Sequence, residues 1–225
     1  MNHKEYQAAA VRTESVPAKI NVGEIPLHAL LVSMIATTQL ANDFKRTIFY
    51  GKDLDSAAVA AVADSISGLF AFISAAAKQG DLQKSVFEMK MEGKVSLPPE
   101  LLTLDKDNID IRLLHAGFGI FTESGEILEH VFAAYENGVQ HIDEVGFGEE
   151  IADVAWYQAI AVDTLGLDMD KLLEANIAKL KARFPEKFDA ALAINRDTDA
   201  ERAVLESHHA SDVVPRGSLG EEITA

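Results

Sequence analysis

Four carboxylates in the second half of the chain stand at spacings that suit metal chemistry. Glu123 and Glu126 lie three residues apart in one apolar segment, and Glu150 and Asp153 lie three apart in the next. Three residues is nearly one helical turn, so each pair projects from one helix face. Like charges so placed repel, at about 0.2–0.5 kcal/mol per pair. Glu123 falls in the apolar stripe Ala116, Ile120, Ile127, Ala134. Around the second pair, Ile151, Val154, Ala155, Trp156, Ala159, Ile160 and Val162 leave no polar side, the pattern of a buried helix. A buried carboxylate is paired, protonated or bound to a metal. No Lys or Arg occurs between Arg112 and Lys171, so no local cation answers these acids and a divalent ion is the natural partner. Oxygen-only ligands suit Mg²⁺ or Mn²⁺. Glu129 and Glu149 read as solvated acids, with Glu149 close enough to act as an outer neighbour.

Further along, Asn176, Lys179 and Arg183 are spaced i, i+3, i+7 and share one helix face. Lys and Arg donors clamp phosphate oxygens, Arg bidentately; the same residues at a helix C-terminus also complement its dipole. Trp156 and Tyr157 lie one turn beyond Asp153, placed for a core position or for contact with a base.

These elements, in this order, resemble the MazG-like all-α NTP pyrophosphohydrolases, whose pattern is ExxE, a variable spacer, then ExxD. Glu123-Ser-Gly-Glu126 and Glu150-Ile-Ala-Asp153 supply it here, and Asn176-Ile-Ala-Lys179-Leu-Lys-Ala-Arg183-Phe-Pro is similar to the family's NxxKLxxR[YF]P segment. The likeness runs over about 113–202. It implies a nucleoside triphosphate substrate cleaved to NMP and pyrophosphate, and a Mg²⁺ (or Mn²⁺) cofactor held by Glu123, Glu126, Glu150 and Asp153. It implies that Glu126 orients or deprotonates the attacking water, with Asn176, Lys179, Arg183 and Trp156 on the substrate. The alternatives are a phosphoribosyl-ATP pyrophosphohydrolase, which shares this acid pattern, and a nucleotide-binding or assembly module without turnover. Asn195-Arg196-Asp197 resembles an NRD segment of related proteins, with helix capping the plain role for Asp197.

The elements that must position these groups read as helices throughout. Pro26 to Tyr50 and Ser56 to Lys78 form one pair, closed by Gly51 and Gly80, and 81–91 suggests a shorter helix. The second half repeats the layout, with a helix to Tyr135 stopped at Asn137–Gly138, another to Leu165, a third from Asp168 to Arg183 broken at Pro185, and a short one over 197–206. Leu27-His28-Ala29 lines up with Leu114-His115-Ala116 at an offset of 87; Gly80 meets Gly166, and Phe70 meets Trp156, at 86. We read a tandem duplication of a helix pair. Glu123 and Glu126 then correspond to Ala36 and Gln39, and Glu150 and Asp153 to Asp64 and Ser67, so the first copy has lost the metal site. His28 and His115 coincide, which suggests a structural hydrogen bond.

The expected fold is therefore all-α: a four-helix-bundle core from two tandem helix pairs, with short accessory helices. The expected domains are a flexible arm (1–22), a degenerate pair (23–106), a catalytic half (107–206) and a disordered tail (207–225). That tail contains Val214-Pro215-Arg216-Gly217-Ser218, similar to a thrombin cleavage sequence. Hydrophobic residues make up 48% of the 225, enough for a core, and the net charge of −16 argues against a nucleic-acid partner. The absence of cysteine fits a reducing compartment. MNHKEYQ carries no signal-peptide pattern, and no apolar run is read as long enough to span a membrane. The expectation is a cytoplasmic protein, with a homodimer possible.

Overall fold

The computed structural model describes residues 1–85, 88–89, 92, 105 and 108–209. Among these residues the secondary structure is helical, with no strand: α1 His3–Val11, α2 Glu24–Tyr50, α3 Ser56–Gln79, α4 Ile111–Asn137, α5 Glu144–Thr164, α6 Met169–Arg183, α7 Ala190–Ile194 and α8 Thr198–His209. The short helix expected over 81–91 lies largely outside the described residues, as does the tail from 210. The chain forms two compact units. One comprises Met1–Ala18, Ile109–Pro185 and the residues from Asp197 on; the other comprises Lys19–Asn108 and Glu186–Arg196. Each helix pair lies in its own unit and shows bundle packing there.

Local chemistry explains the boundaries. Asp110, Asp143 and Asp168 each accept backbone N–H bonds from the first turn of α4, α5 and α6, satisfying donors that have no intrahelical partner. Asp197 does the same for α8 through the Ala200 N–H. Asp55 caps α3 by accepting from the Ala57 and Ala58 N–H groups. The α6 helix stops at Phe184, the residue before Pro185, where the proline ring disfavours helical backbone.

The two helix pairs share several backbone features. The α2 and α4 helices both span 27 residues and are displaced by 87 positions at either end. Asp55 and Asp143 cap α3 and α5 with the same backbone angles, φ −78° and ψ 96°. Gly80 and Gly166, just past those helices, both adopt positive φ, 71° and 64°, a conformation that favours glycine.

Three expectations are corrected here. The arm over 1–22 is not loose along its length: α1 opens with a reciprocal cap between Asn2 and Glu5 and buries Ala10. It is tied down by Lys4 to Asp168 (3.0 Å) and His3 to Asp170 (2.6 Å). Just beyond it, Glu14 makes a bidentate ion pair with Arg112. A nine-residue helix with little apolar periodicity is held by such tertiary contacts rather than by its own propensity. Second, α2 and α3 do contain windows long and apolar enough to cross a membrane, with mean hydropathy 1.2 and 1.7. In α3 that average comes from alanine runs broken by Ser and a single Asp. Third, α5 is not enveloped. Ala159, Ile160 and Val162 are buried, whereas Ile151 is 53% exposed and Asp153 is also exposed. Its C-terminal half enters the core and its first two turns remain half open.

Candidate metal centre

The α4 and α5 helices run antiparallel, which brings Glu123 and Glu126 of one against Glu150 of the other. Carboxylate oxygens of these three residues lie within 4.8 Å of one another. Glu123 and Glu150 are half-buried and Glu126 is exposed. Partial burial pushes the Glu150 carboxyl above its usual range, and the charge of Glu126 and the contact with Glu123 add to the shift, with Glu149 contributing last. Carboxylates brought this close repel one another, and a bound cation would relieve that repulsion. The donor set is all oxygen and partly open to solvent, and it fits Mg²⁺ or Mn²⁺.

Asp153 lies outside that triplet, on the same face. Burial, and then the charges of Glu123, Asp153 and Glu126, raise the Tyr157 phenol above its ordinary value. Burial, and then Asp153, raise Tyr6 likewise. Tyr6 donates to the Ala152 carbonyl at 3.2 Å, so α1 reaches the turn that carries Asp153. The Tyr157 ring sits directly on Gly119: a Cβ there would come within 2.1 Å of ring carbon. Its other neighbours are His115 and Trp156, both in edge-to-face contact at 5.4 and 4.8 Å between centroids. The His115 Nδ1 is buried without a hydrogen-bond partner among the described residues, so the structural hydrogen bond expected for His115 is not formed through that atom. Trp156 donates its indole N–H to Thr13 Oγ1 at 2.9 Å.

The phosphate-binding face read on α6 separates into different roles. Arg183 Nε binds Glu201 Oε1 at 2.7 Å, and its Nη2 binds the other oxygen of that carboxylate. Glu201 is only 4% exposed. The guanidinium fork is thus occupied by Glu201, tying α6 to α8. Lys179 is half-buried and Asn176 exposed, and neither makes a hydrogen bond or ion pair among the described residues.

An open cavity of about 210 Å³ lies between α1, α5 and α6, with Tyr6, Gln158, Ala159 and Leu173 in its wall. On α5 its lining residues Ala155, Ala159 and Val162 belong to the side turned away from Glu150 and Tyr157, so the cavity is not the carboxylate site.

The sequence reading missed Tyr6, Gly119, His130, Gly146 and Glu201. A signal existed for the glycines, since each stands four residues before an acid, Gly119 before Glu123 and Gly146 before Glu150. A glycine inside a helix costs about 1 kcal/mol relative to alanine and generally marks a packing need. Nothing local marked Glu201 as the partner of Arg183. In comparisons with known proteins, no family model matches the chain, and neither a curated protein nor a solved structure is significantly similar to it.

Proposed function

We propose that this chain is a metal-dependent nucleoside triphosphate pyrophosphohydrolase, cleaving between the α and β phosphates to release NMP and pyrophosphate. The observation that carries the reading is the convergence of Glu123, Glu126 and Glu150 within 4.8 Å from two segments of an antiparallel helix pair. Those residues would hold Mg²⁺ or Mn²⁺, with Asp153 beside them on the same face. When bound, the cation supplies Lewis-acid polarisation of a phosphoryl oxygen and lowers the pKa of water.

The side chains have separate tasks. Glu150, half-buried beside Glu123 and Glu126, would ligate the cation from α5. Glu126, the exposed member of the triplet, orients water for attack and accepts its proton. Lys179, without a protein partner among the described residues, offers charge to the polyphosphate. Arg183 serves the scaffold through Glu201.

The test is a pyrophosphate-release screen over canonical and damaged NTPs, and over phosphoribosyl-ATP, with Mg²⁺ or Mn²⁺. Metal-dependent release from at least one triphosphate, lost in Glu126→Gln, is the expected result. No release across the panel at any metal concentration overturns the reading.

A further inference from the structure

The acid face of α4 continues past the carboxylates. His130 follows Glu126 by four residues and Glu123 by seven, so it lies on the same face one turn further along. Opposite it on α5 stands Gly146, four residues before Glu150. The imidazole is seated on that glycine, where a Cβ would come within 2.7 Å of ring Cε1 and 3.2 Å of Nε2. Phe147 flanks the ring, with centroids 6.1 Å apart. No described residue bonds either ring nitrogen, and neither is sealed from solvent. The strip of acids is therefore closed at one end by Tyr157 on Gly119 and at the other by His130 on Gly146.

The duplicated pair offers an internal control. At the offset of 87, Gly119 corresponds to Val32 and His130 to Asp43; at 86, Gly146 corresponds to Ala60 and Tyr157 to Ala71. Both ring-on-glycine seats are absent from the copy that has lost its acids, and Asp43 there instead faces Lys52 at 3.9 Å. Helix packing alone would not require the two seats to disappear together with the carboxylates.

Charge supplies the chemical reason. A triphosphate held by cations still has outer oxygens that need N–H donors. Lys179 of α6 offers one, the Arg183 fork is taken by Glu201, and no Lys or Arg occurs between Arg112 and Lys171 on the helices that carry the acids. His130 is the nitrogen donor carried on the acid face itself, giving one N–H when neutral and two when protonated. We propose that His130 contacts substrate, donating to the β- or γ-phosphate of a nucleotide bound at Glu123, Glu126 and Glu150. The phosphate chain then runs toward the Gly146 end of the strip. This inference rests on the function proposed above.

Two substitutions separate ring from donor: His130→Phe keeps the seat on Gly146 without nitrogen, and His130→Gln restores an N–H. The probes are Mn²⁺ alone, an α,β-methylene nucleoside triphosphate with Mn²⁺, and the matching nucleoside monophosphate with Mn²⁺, each titrated calorimetrically into the full chain. His130→Phe is expected to weaken the triphosphate analogue by about tenfold or more, the scale of a charge-assisted hydrogen bond. Mn²⁺ and monophosphate affinities should stay within about twofold, and His130→Gln should regain part of the loss. Unchanged triphosphate affinity in His130→Phe overturns the proposal. So does an equal loss for monophosphate, or a loss of Mn²⁺ binding, since either would mark a structural ring. If the unsubstituted chain binds neither Mn²⁺ nor the analogue, the reading of the acid site fails and the assignment of His130 fails with it. That outcome is distinct because it appears before any residue is changed.

Discussion

Arg183 and Glu201 form a two-point ion pair across eighteen residues of sequence, with the Arg183 side chain 16% exposed and that of Glu201 5%. An arginine whose spacing on α6 suits phosphate binding is instead satisfied by a buried carboxylate from α8.

Removing one partner of a buried ion pair costs about 3–5 kcal/mol. Arg183→Ala and Glu201→Gln should each lower stability on that scale in urea unfolding. Replacing both at once with Met and Leu should recover most of it, because a well-packed apolar pair is often as stable as a buried ion pair. A chain as stable as wild type after Arg183→Ala, with nucleotide binding lost, would return the guanidinium to the phosphate.

Glu150→Gln should abolish calorimetric Mn²⁺ binding, whereas Asp64→Asn, at the equivalent position of the acid-free pair, should leave it unchanged. The metal-free protein gives a second readout. The Glu150 carboxyl is raised in the folded state, so the folded chain binds more protons there than the unfolded chain. Its contribution to stability is present below the unfolded carboxylate range and is lost as pH rises through the folded value. Glu150→Gln should therefore raise the metal-free melting temperature at pH 7, and the gain should vanish on acidification below that range. A gain independent of pH would contradict the shift.

Glu14→Ala removes the carboxylate that grips Arg112, whose guanidinium keeps Asp163 at 2.8 Å as a second partner. With one partner retained, the loss should be about 2 kcal/mol, the range for a hydrogen bond to a charged group. Trp156 is the single tryptophan, and its indole is held by Thr13 next to Glu14. Detachment of this segment should red-shift its emission, which fluorescence checks directly; an unchanged spectrum would mean the segment stays docked without the ion pair.

Gly119→Val should be destabilising by about 1–3 kcal/mol, the cost of overpacking, because a Cβ at 119 meets the Tyr157 ring. Adding Tyr157→Ala should relieve it, reproducing the Val32 and Ala71 combination of the other pair. Thermal unfolding of the two single variants and the double variant measures the coupling. Simple additivity would mean that the ring does not depend on the glycine.

Much of this molecule was legible one turn at a time. The Asp197 cap, the stops at Gly138, Gly166 and Pro185, and the three-residue spacing of each acid pair act over four or five residues. Such signals are read from the chain without knowing the fold. The parallel layout of the two helix pairs was legible for the same reason, since α2 and α4 end at matching positions. Tertiary structure decided what depends on partners distant in sequence. The α1 helix has little periodicity of its own and is held by the Lys4–Asp168 ion pair, the His3–Asp170 hydrogen bond and, just beyond it, the Glu14–Arg112 pair. The face of α5 that stays open depends on which neighbours cover it, so a run that reads as buried on all sides leaves Ile151 and Asp153 exposed. Whether Arg183 meets a phosphate or Glu201, and whether His130 has a glycine to lie on, depends on how the helices align side by side. Helical periodicity shows which residues share a face; it does not show what that face meets.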